Sequence, residues 1–495
     1  MGLFSFFKKP GEGLPSLKLH NTLTGELDVF EPLSSSKVKM YNCGPTAYDR
    51  QHIGNMVPPV LADILRRVLE IWGYRVQQVM NITDFGHLTG ENEGDPNEGD
   101  DKMTRGLARE GLKPTMANMR KLAEKYAGLF FEDIELLGID TKQVTYPRAS
   151  DYIPEQVALI KTLEQKGYAY TISDGVYYDT ARFKSYGKLG NIKLEGQLSG
   201  LRVAEKAEKK NPHDFVLWKR SEKMGWPSPW GKGFPGWHIE CTAMIFKLLG
   251  KQIDIHTGGI EHIPIHHNNE IAQAEAATGK QFVKYWLHNA HITVEGKKIA
   301  KSLGNTVYVH NLVDRGLSPR ALRYWFLTGH YRTPMNFTWE AIEGADQALK
   351  RLTRAYLEAG TTAPDERVGP LALRSSEGAV VKDDFLKAFY TALANDLGTA
   401  QALALVWDHI KELDQKTLQK VDKVLGLGFS DPRETAKIKV IEQTDLPEAA
   451  QKLVAEREEA RTGKDFARAD ELRKEIELAG YIVKDTPQGP KITRK

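Results

Sequence analysis

From Val38 to Ile82 the chain reads as strand, helix, strand, and that order points to a parallel sheet with helices on its faces. Val38-Lys-Met-Tyr-Asn42 has the make-up of a short buried strand and stops at Gly44-Pro45. After His52-Ile-Gly-Asn55, the apolar residues Leu61, Ile64, Leu65, Val68, Leu69 and Trp72 recur at helical spacing. Pro58 and Pro59 suit a first helical turn, where a missing amide hydrogen costs little, and Gly73 ends the helix. Arg75 to Ile82 is then a second strand.

A third strand is expected at Gln252-Ile-Asp-Ile-His256. Between the second and third strands, residues from about 146 to 225 interrupt the sheet with a helix (Pro154 to Lys166) and hairpin-like segments (Tyr168 to Tyr178). The stretch Leu201 to Trp226 is basic, carrying Arg202, Lys206, Lys209, Lys210, Lys219, Arg220 and Lys223. Beyond Ser302 the pattern turns helical. Asp383 to Leu413 is amphipathic and broken near Asp396-Leu-Gly398, and Leu446 to Ala479 is a further helical stretch stopped by Gly480.

At 495 residues the chain is too long for one core, so two to four domains are expected. A net charge of +3 is too small to prove a polyanionic partner, so local clustering has to carry that argument. Two cysteines cannot form a disulfide framework, and they fit a reducing, cytoplasmic setting. No apolar run reaches the length of a membrane span. The first ten residues lack a signal-peptide cleavage site and place Phe6 where a myristoylation signal needs Ser or Thr, so they read as a frayed tail.

Both cysteines lie in dense motifs, Tyr41-Asn-Cys-Gly-Pro-Thr and Gly236-Trp-His-Ile-Glu-Cys-Thr, with Pro264-Ile-His-His-Asn-Asn-Glu270 shortly after. Two thiolates, an imidazole and a carboxylate make a tetrahedral zinc set. His266 and Glu270 are spaced i, i+4 and His267 and Glu270 i, i+3, so spacing does not choose between the histidines. A lone histidine near a helix start is more often structural, and a lone cysteine is usually a small buried hydrophobe. Both cysteines are expected in Gly, Pro and Trp-rich loops rather than on apolar stripes, which favours the metal. His52 and Asn55 fall where strand turns to helix, a place that favours phosphate. Lys298 and Lys301 of Lys298-Ile-Ala-Lys-Ser302 can bring positive charge to the same phosphates. Neither tetrapeptide is specific alone; their order and company give them weight.

Taken together, these motifs resemble those of cysteinyl-tRNA synthetase, a class I aminoacyl-tRNA synthetase, from about Leu17 to the C-terminus. The resemblance rests on Cys43-Gly-Pro-Thr, His52-Ile-Gly-Asn55, Asn81-Ile-Thr-Asp84, Asn211-Pro-His-Asp-Phe-Val-Leu-Trp-Lys219 and Gly236-Trp-His-Ile-Glu-Cys241. It continues through Asp254-Ile-His-Thr-Gly-Gly259, His266-His-Asn-Asn-Glu270, Lys298-Ile-Ala-Lys-Ser302 and Phe466-Ala-Arg-Ala-Asp470 to Asp485-Thr-Pro-Gln-Gly489. It implies an α/β chain: a Rossmann-like parallel-sheet catalytic domain with an inserted subdomain, then a mostly helical C-terminal region. The implied boundaries are a tail at 1–16, catalytic halves at 17–145 and 226–310, and an insertion at 146–225. A stem-contact region at 311–345, a helical tRNA-binding bundle at 346–446 and an anticodon-binding module at 447–495 complete them.

The same resemblance implies zinc held by Cys43, Cys241, His266 and Glu270, and substrate cysteine gripped near Gly44, Thr83, Trp237 and His256. It implies ATP at His52, Asn55, Lys298 and Lys301, with Mg2+, catalysis by these four and Ser302, and tRNA(Cys) and L-cysteine as partners of a monomeric enzyme. A metal makes sense here, because an apolar pocket separates near-isosteres by only about a hundredfold. A soft thiolate on zinc is a far sharper criterion against serine. The chain departs from the usual family pattern in several places. Asn55 ends the first signature where a second His is usual, and Lys-Ile-Ala-Lys-Ser stands for Lys-Met-Ser-Lys-Ser. An acidic insertion precedes Asp100-Asp-Lys102, and Thr257 replaces a Gly. Two readings compete. One is a relative of the same catalytic fold that joins activated cysteine to an amino sugar, as in mycothiol synthesis. The other is an RNA-binding protein with a decayed site.

Overall fold

The computed structural model describes residues 13–86, 102–192, 208–361, 372–429, 431, 443, 446–486 and 489–494. The start of the tail, the acidic insertion, and Arg202 and Lys206 of the basic stretch lie outside the described residues. The chain divides into two compact units, residues 1–343 with 385–406 and residues 344–384 with 407–495.

The first unit opens with an antiparallel hairpin, β1 (Lys18–Asn21) and β2 (Glu26–Val29). β3 (Lys37–Asn42), the helix α1 (Val57–Ile71) and β4 (Arg75–Met80) then form the expected unit, with β3 and β4 parallel in register from Lys37↔Arg75 to Asn42↔Met80. Val60, Leu61, Ile64, Leu65, Val68 and Leu69 of α1 are all buried. Each such side chain contributes roughly 1.5–3 kcal/mol on leaving water, which fixes the helix on the sheet. Gly73, at φ 87°, lets the chain leave the helix and enter β4. Helices Lys102–Arg109 and Met116–Leu136 lead to the two-residue β5 (Val144–Thr145).

Four strands follow that pair only with one another: β6 (Ala169–Ile172), β7 (Gly175–Tyr178), β8 (Phe215–Arg220) and β9 (Gly233–Pro235), all antiparallel. The antiparallel sheet therefore runs to Pro235, past the residue where the parallel fold was expected to resume. The parallel sheet regains the chain at β10 (Ile253–Gly259) and β11 (Val283–Asn289). Its order is β11-β10-β3-β4-β5, and every adjacent pair is parallel. A small sheet of β12 (Ile292–Val294), β13 (Lys297–Lys298) and β14 (Met335–Phe337) carries the downstream lysine motif.

The break expected near Asp396 is present. A helix ends at Ala394, Asp396 and Leu397 take φ of 54° and 56°, and the next helix starts at Thr399. The Asp396 carboxylate accepts from the His20 amide at 2.9 Å, the Tyr331 hydroxyl at 2.7 Å and Arg332 Nε at 2.8 Å, tying this segment to β1.

In the second unit, the stretch from Leu446 splits into helices Glu448–Thr462 and Phe466–Leu478 where Lys464 turns to φ 61°. A hairpin of β15 (Tyr481–Thr486) and β16 (Gly489–Arg494) closes it. Leu446, Ala450, Val454, Ile476, Val483 and Ile492 form a core made of this segment's own residues. Among the described residues no helix is long and apolar enough to cross a membrane.

One buried ion cluster ties α1 to the helix Pro319–Thr328. The Asp63 carboxylate accepts from Arg66 at 2.6 Å, Arg67 at 2.7 Å and Arg323 at 2.7 Å. Burial pushes the Asp63 carboxyl up, but Arg323, Arg67 and Arg66 outweigh it and bring it down to about 2. Its unfolded value is about 3.9, so the stabilisation is complete above that pH and is lost as pH falls from about 4 through about 2. Asp63→Asn leaves the Arg323 charge buried without its counter-ion. The variant is expected to lose about 3–5 kcal/mol of stability at neutral pH, and its stability should fall less steeply than wild type between about pH 4 and 2. Urea unfolding followed by tryptophan fluorescence checks both, and an unchanged midpoint at neutral pH would remove this cluster from the list of what holds α1.

Candidate metal and nucleotide site

The sheet order reverses direction at β3. From β3 the chain crosses α1 to β4 on one side, while β10 lies on the other. Ligands of open parallel sheets bind beyond the carboxyl ends of the strands at such a point. Cys43 directly follows β3, and Thr257-Gly258-Gly259 ends β10 beside it, with the Cys43 amide donating to the Thr257 carbonyl at 3.1 Å. The Thr257 hydroxyl accepts from Asn42 at 2.7 Å, and the Asn42 carbonyl oxygen accepts from Gln78 at 2.8 Å, so the Thr in place of Gly has a defined partner.

The four residues expected to hold zinc converge. One donor atom each from Cys43, Cys241, His266 and Glu270 lies within 4.8 Å of all the others. Cys241 does not sit in a loop as expected. It occupies the first turn of the helix Ile239–Leu248. His266 and His267 end a short π-helical turn, Ile263–His267, that runs into the helix Asn268–Thr278 bearing Glu270. The wider turn changes which way the two rings point. His266 Nε2 lies 2.9 Å from Glu270 Oε1, and His267 Nε2 lies 4.0 Å from it. A second set, Cys43, His256, His267 and Glu270, satisfies the same distance limit.

The donor set suits a cation. Glu270 is fully buried, and although His266 is close, Glu270 Oε1 accepts no hydrogen bond among the described residues. Burial would raise the Cys43 thiol, but Cys241 and the imidazoles of His267 and His266 hold it well below the usual thiol range. Burial, Cys43 and Glu270 push the Cys241 thiol well above it. Burial lowers His266, yet Cys43 and Glu270 overcome it and lift it to about 10. Without a metal the cluster thus gathers protons to offset its own negative charge, and a divalent cation would do the same work for both sulfurs at once.

The residues expected to grip an amino acid surround this cluster. Gly44 donates its amide to Asn81 Oδ1 at 2.8 Å. Thr83, on the segment leaving β4, donates its hydroxyl to the buried Glu240 carboxylate. The half-buried Trp237 ring lies 4.6 Å from the His266 ring. His256 Nε2 lies 3.0 Å from Glu270 Oε2, and its ring stacks on Trp286 at 4.6 Å.

The nucleotide motifs meet as well. The His52 ring accepts from the Gly54 amide through Nδ1 at 3.1 Å, which leaves the hydrogen of a neutral ring on Nε2. Burial lowers the His52 pKa, so the neutral form prevails at pH 7. Asn55 Oδ1 accepts from the His52 amide at 3.2 Å, leaving the exposed side-chain NH2 as donor. Lys301 forms an ion pair with Asp49, in the same loop as His52. A Cβ on Gly54 would come within 3.1 Å of the Ile299 side chain, so the two motifs are packed against each other. Lys298 and Ser302 are exposed on this loop, whose path is held by Asn305 through the Ala300 amide and the Lys298 carbonyl, both at 3.0 Å.

Sequence reasoning left His267 as an alternative to His266 and did not single out Glu240, His288, Asp49 or Asn305. Glu240 had a signal, lying beside Cys241, and burial lifts its carboxyl to about 8 despite the Thr83 hydroxyl. Asp49 lies between the first cysteine motif and His52, but nothing in the sequence connects it with Lys301.

A family model described as tRNA synthetases class I (C) catalytic domain matches residues 29–347, and one described as cysteinyl-tRNA ligase anticodon binding domain matches residues 443–490. Cysteine–tRNA ligase 1 of Burkholderia lata is 41% identical over 96% of this chain and 96% of its own length. Cysteine–tRNA ligase of Treponema denticola is 39% identical over 95% of this chain and 98% of its own length. Among solved structures, Mycobacterium tuberculosis methionyl-tRNA synthetase bound by methionyl-adenylate matches with a TM-score of 0.57 over 85% of this chain and 94% of that one. At 14% identity that likeness speaks to the fold alone.

A Cβ at position 44 would lie 1.7 Å from the Asn81 carbonyl oxygen, so the loop carrying Cys43 must shift if any side chain is present there. If this group holds a metal, Gly44→Ala is expected to weaken its binding roughly tenfold or more, as loss of support for a ligand does. Competition with a chromophoric chelator reads this directly, and wild-type affinity in the variant would show that the loop can yield without moving the sulfur.

Proposed function

This chain belongs to the cysteine–tRNA ligase family, and on that premise we propose how its residues divide the work of charging tRNA with cysteine. The observation that carries the proposal is the convergence of Cys43, Cys241, His266 and Glu270 around a buried carboxylate oxygen with no hydrogen bond among the described residues. These four would hold zinc. His266 is preferred to His267 because it shares a group with both cysteines, whereas the group containing His267 includes Cys43 but not Cys241. Bound there, zinc would supply a soft Lewis acid that takes a thiolate and discriminates against a hydroxyl, separating cysteine from serine.

The protein's own side chains do the rest. Thr83, Trp237 and His256, with the Gly44 backbone, line the place where the amino acid would sit beside the cysteine ligands. Thr83 is oriented by Glu240, and His256 by Glu270. His52 Nε2–H and the Asn55 amide offer two donors for the phosphates of ATP, with Mg2+ as the expected companion ion. Attack of the cysteine carboxylate on the α-phosphorus expels pyrophosphate and concentrates charge on the phosphoryl oxygens. Lys298 and Lys301 would meet that charge, and catalysis by such groups is electrostatic rather than covalent. The 3′-terminal ribose hydroxyl of tRNA(Cys) then attacks the activated carbonyl, and AMP leaves.

We assign residues 17–145 and 236–310 to catalysis, 146–235 to the insertion, 311–345 to a stem-contact region, and 346–446 and 447–495 to tRNA binding, in a monomeric cytoplasmic enzyme. Much of the described basic stretch is internally committed: Lys219 pairs with Asp174, Lys210 lies 3.4 Å from Asp179, and Arg220 donates to the Trp230 carbonyl at 2.7 Å. The docking face for tRNA would be formed by the inserted basic stretch together with the C-terminal helices. The amino-sugar reading has no counterpart for the anticodon-binding match at residues 443–490.

Lys301→Ala is expected to lower cysteine-dependent pyrophosphate exchange by about a hundredfold to a thousandfold, on the order of 3–4 kcal/mol in the transition state. Cysteine affinity should change far less, and exchange near the wild-type rate would take Lys301 out of its role. Removing residues 447–495, whose core is self-contained, should spare pyrophosphate exchange and weaken tRNA charging. Full-length charging should fall steeply with added salt because phosphate contacts release counter-ions. Equal charging efficiency in the two proteins would refute the assignment of tRNA binding to this module.

A further inference from the structure

A line of hydrogen bonds runs from the metal group to the N-terminal hairpin. Cys43 Sγ lies 3.3 Å from His267 Nε2, His267 Nδ1 lies 2.7 Å from His288 Nε2, and His288 Nδ1 lies 2.8 Å from the Thr22 hydroxyl. With one proton in each gap, the line can be ordered in two directions only. In the first, Cys43 is a thiol donating to His267, and each group donates onward toward Thr22. In the second, Thr22 donates to His288 Nδ1, His288 Nε2–H donates to His267 Nδ1, and His267 Nε2–H donates to the sulfur. A cysteine bound to a metal is a thiolate and can only accept. A metal-bound Cys43 is compatible only with the second order, in which the terminal hydroxyl is the donor that orders both rings.

We propose that Thr22, acting through His288 and His267, is a positioning residue that fixes an N–H donor against the Cys43 thiolate and so sets how tightly the site holds its metal. The inference rests on the metal reading given above. The fold has built the line with care. Gly258 and His288 are register partners across β10 and β11, and a Cβ on Gly258 would come within 2.7 Å of the His267 ring. Only glycine leaves room there for His267 to reach its partner. The His267 ring is packed by His256 at 4.5 Å and Trp286 at 4.8 Å, and both ring residues of the line are buried. Thr22 is itself held on the edge of β11, its amide donating to the Trp286 carbonyl at 2.9 Å, while the neighbouring Asn21 side chain bonds the Lys284 carbonyl at 3.1 Å and the Trp286 amide at 3.0 Å. Thr22 also lies outside residues 29–347, the part matched as a catalytic domain, so the hairpin would be a working part of the site rather than a preface to it.

The test uses full-length protein loaded with zinc and labelled with 15N-histidine. In the wild type, His267 and His288 should both show Nε2–H tautomers, with neither ring metal-bound. Thr22→Val removes the donor at nearly constant shape and should weaken zinc about tenfold in chelator competition, the usual effect of losing a partner behind a ligand. It should also disturb the His288 tautomer, and Thr22→Ser should restore both. Wild-type zinc affinity and tautomers in Thr22→Val would overturn the proposal. So would an Nδ1–H tautomer or direct metal bonding at His267 in the wild type, a measurement that needs no variant to fold. Cys43→Ser separates the two levels: if it keeps its zinc undiminished, the metal reading itself falls, whereas loss of zinc in Cys43→Ser with none in Thr22→Val sinks only this inference.

Discussion

The pairing of β3 with β10 is the constraint on which the site depends. Three register partners, Met40↔Ile255, Tyr41↔His256 and Asn42↔Thr257, join segments separated by the whole antiparallel insertion. That pairing sets Cys43 beside the end of β10, and from there the π-helical turn delivers His266 and Glu270 to the same place. The register must be exact to the residue, because successive side chains on a strand face opposite sides. A slip by one would send His256 to the other face and leave Glu270 Oε2 without its imidazole.

The catalytic centre is expensive to fold. His256, His266, His267, Glu240 and Glu270 are all buried, and buried polar groups cost free energy unless their partners are in place. The surrounding sheet and α1 offset that cost with an apolar interior, and the Asp63 cluster secures α1 on its outer side. The polar residues of the site therefore behave as a network in which each member depends on the others, rather than as independent ligands on a neutral scaffold.

How much of this was legible depended on length and chemistry. The β3-α1-β4 unit could be read because β3 stops just before Gly44-Pro45, its helix carries a full apolar stripe and Gly73 ends that helix. β5 could not, since two residues give no periodicity, and β11, with His288 and Asn289 at its end, looks too polar at its business end. The ligand set followed from motif chemistry and family resemblance, yet spacing left His266 and His267 equal. The π-helical turn places His266 in a group with both cysteines and His267 in a second group with Cys43, and no sequence rule announces a π turn. The placement of Cys241 on a helix was misjudged because the Gly and Trp before it suggested a loop. Contacts such as Lys301 with Asp49 and His288 with Thr22 are set by tertiary packing alone.

The Asp49–Lys301 pair also bears on how the protein meets its nucleotide. An ammonium held by a neighbouring carboxylate is not free to be captured; an incoming phosphate has to displace that carboxylate. Binding at this point is then an exchange of anions, and its free energy is the difference between two similar attractions rather than the whole of either. On the proposed role of Lys301, the nucleotide would gain little ground-state affinity from it, while the extra charge that develops as the α-phosphorus is attacked would still find the ammonium nearby. A resident carboxylate thus works as an internal competitor, holding back attraction from the substrate so that more of it remains for the reacting state.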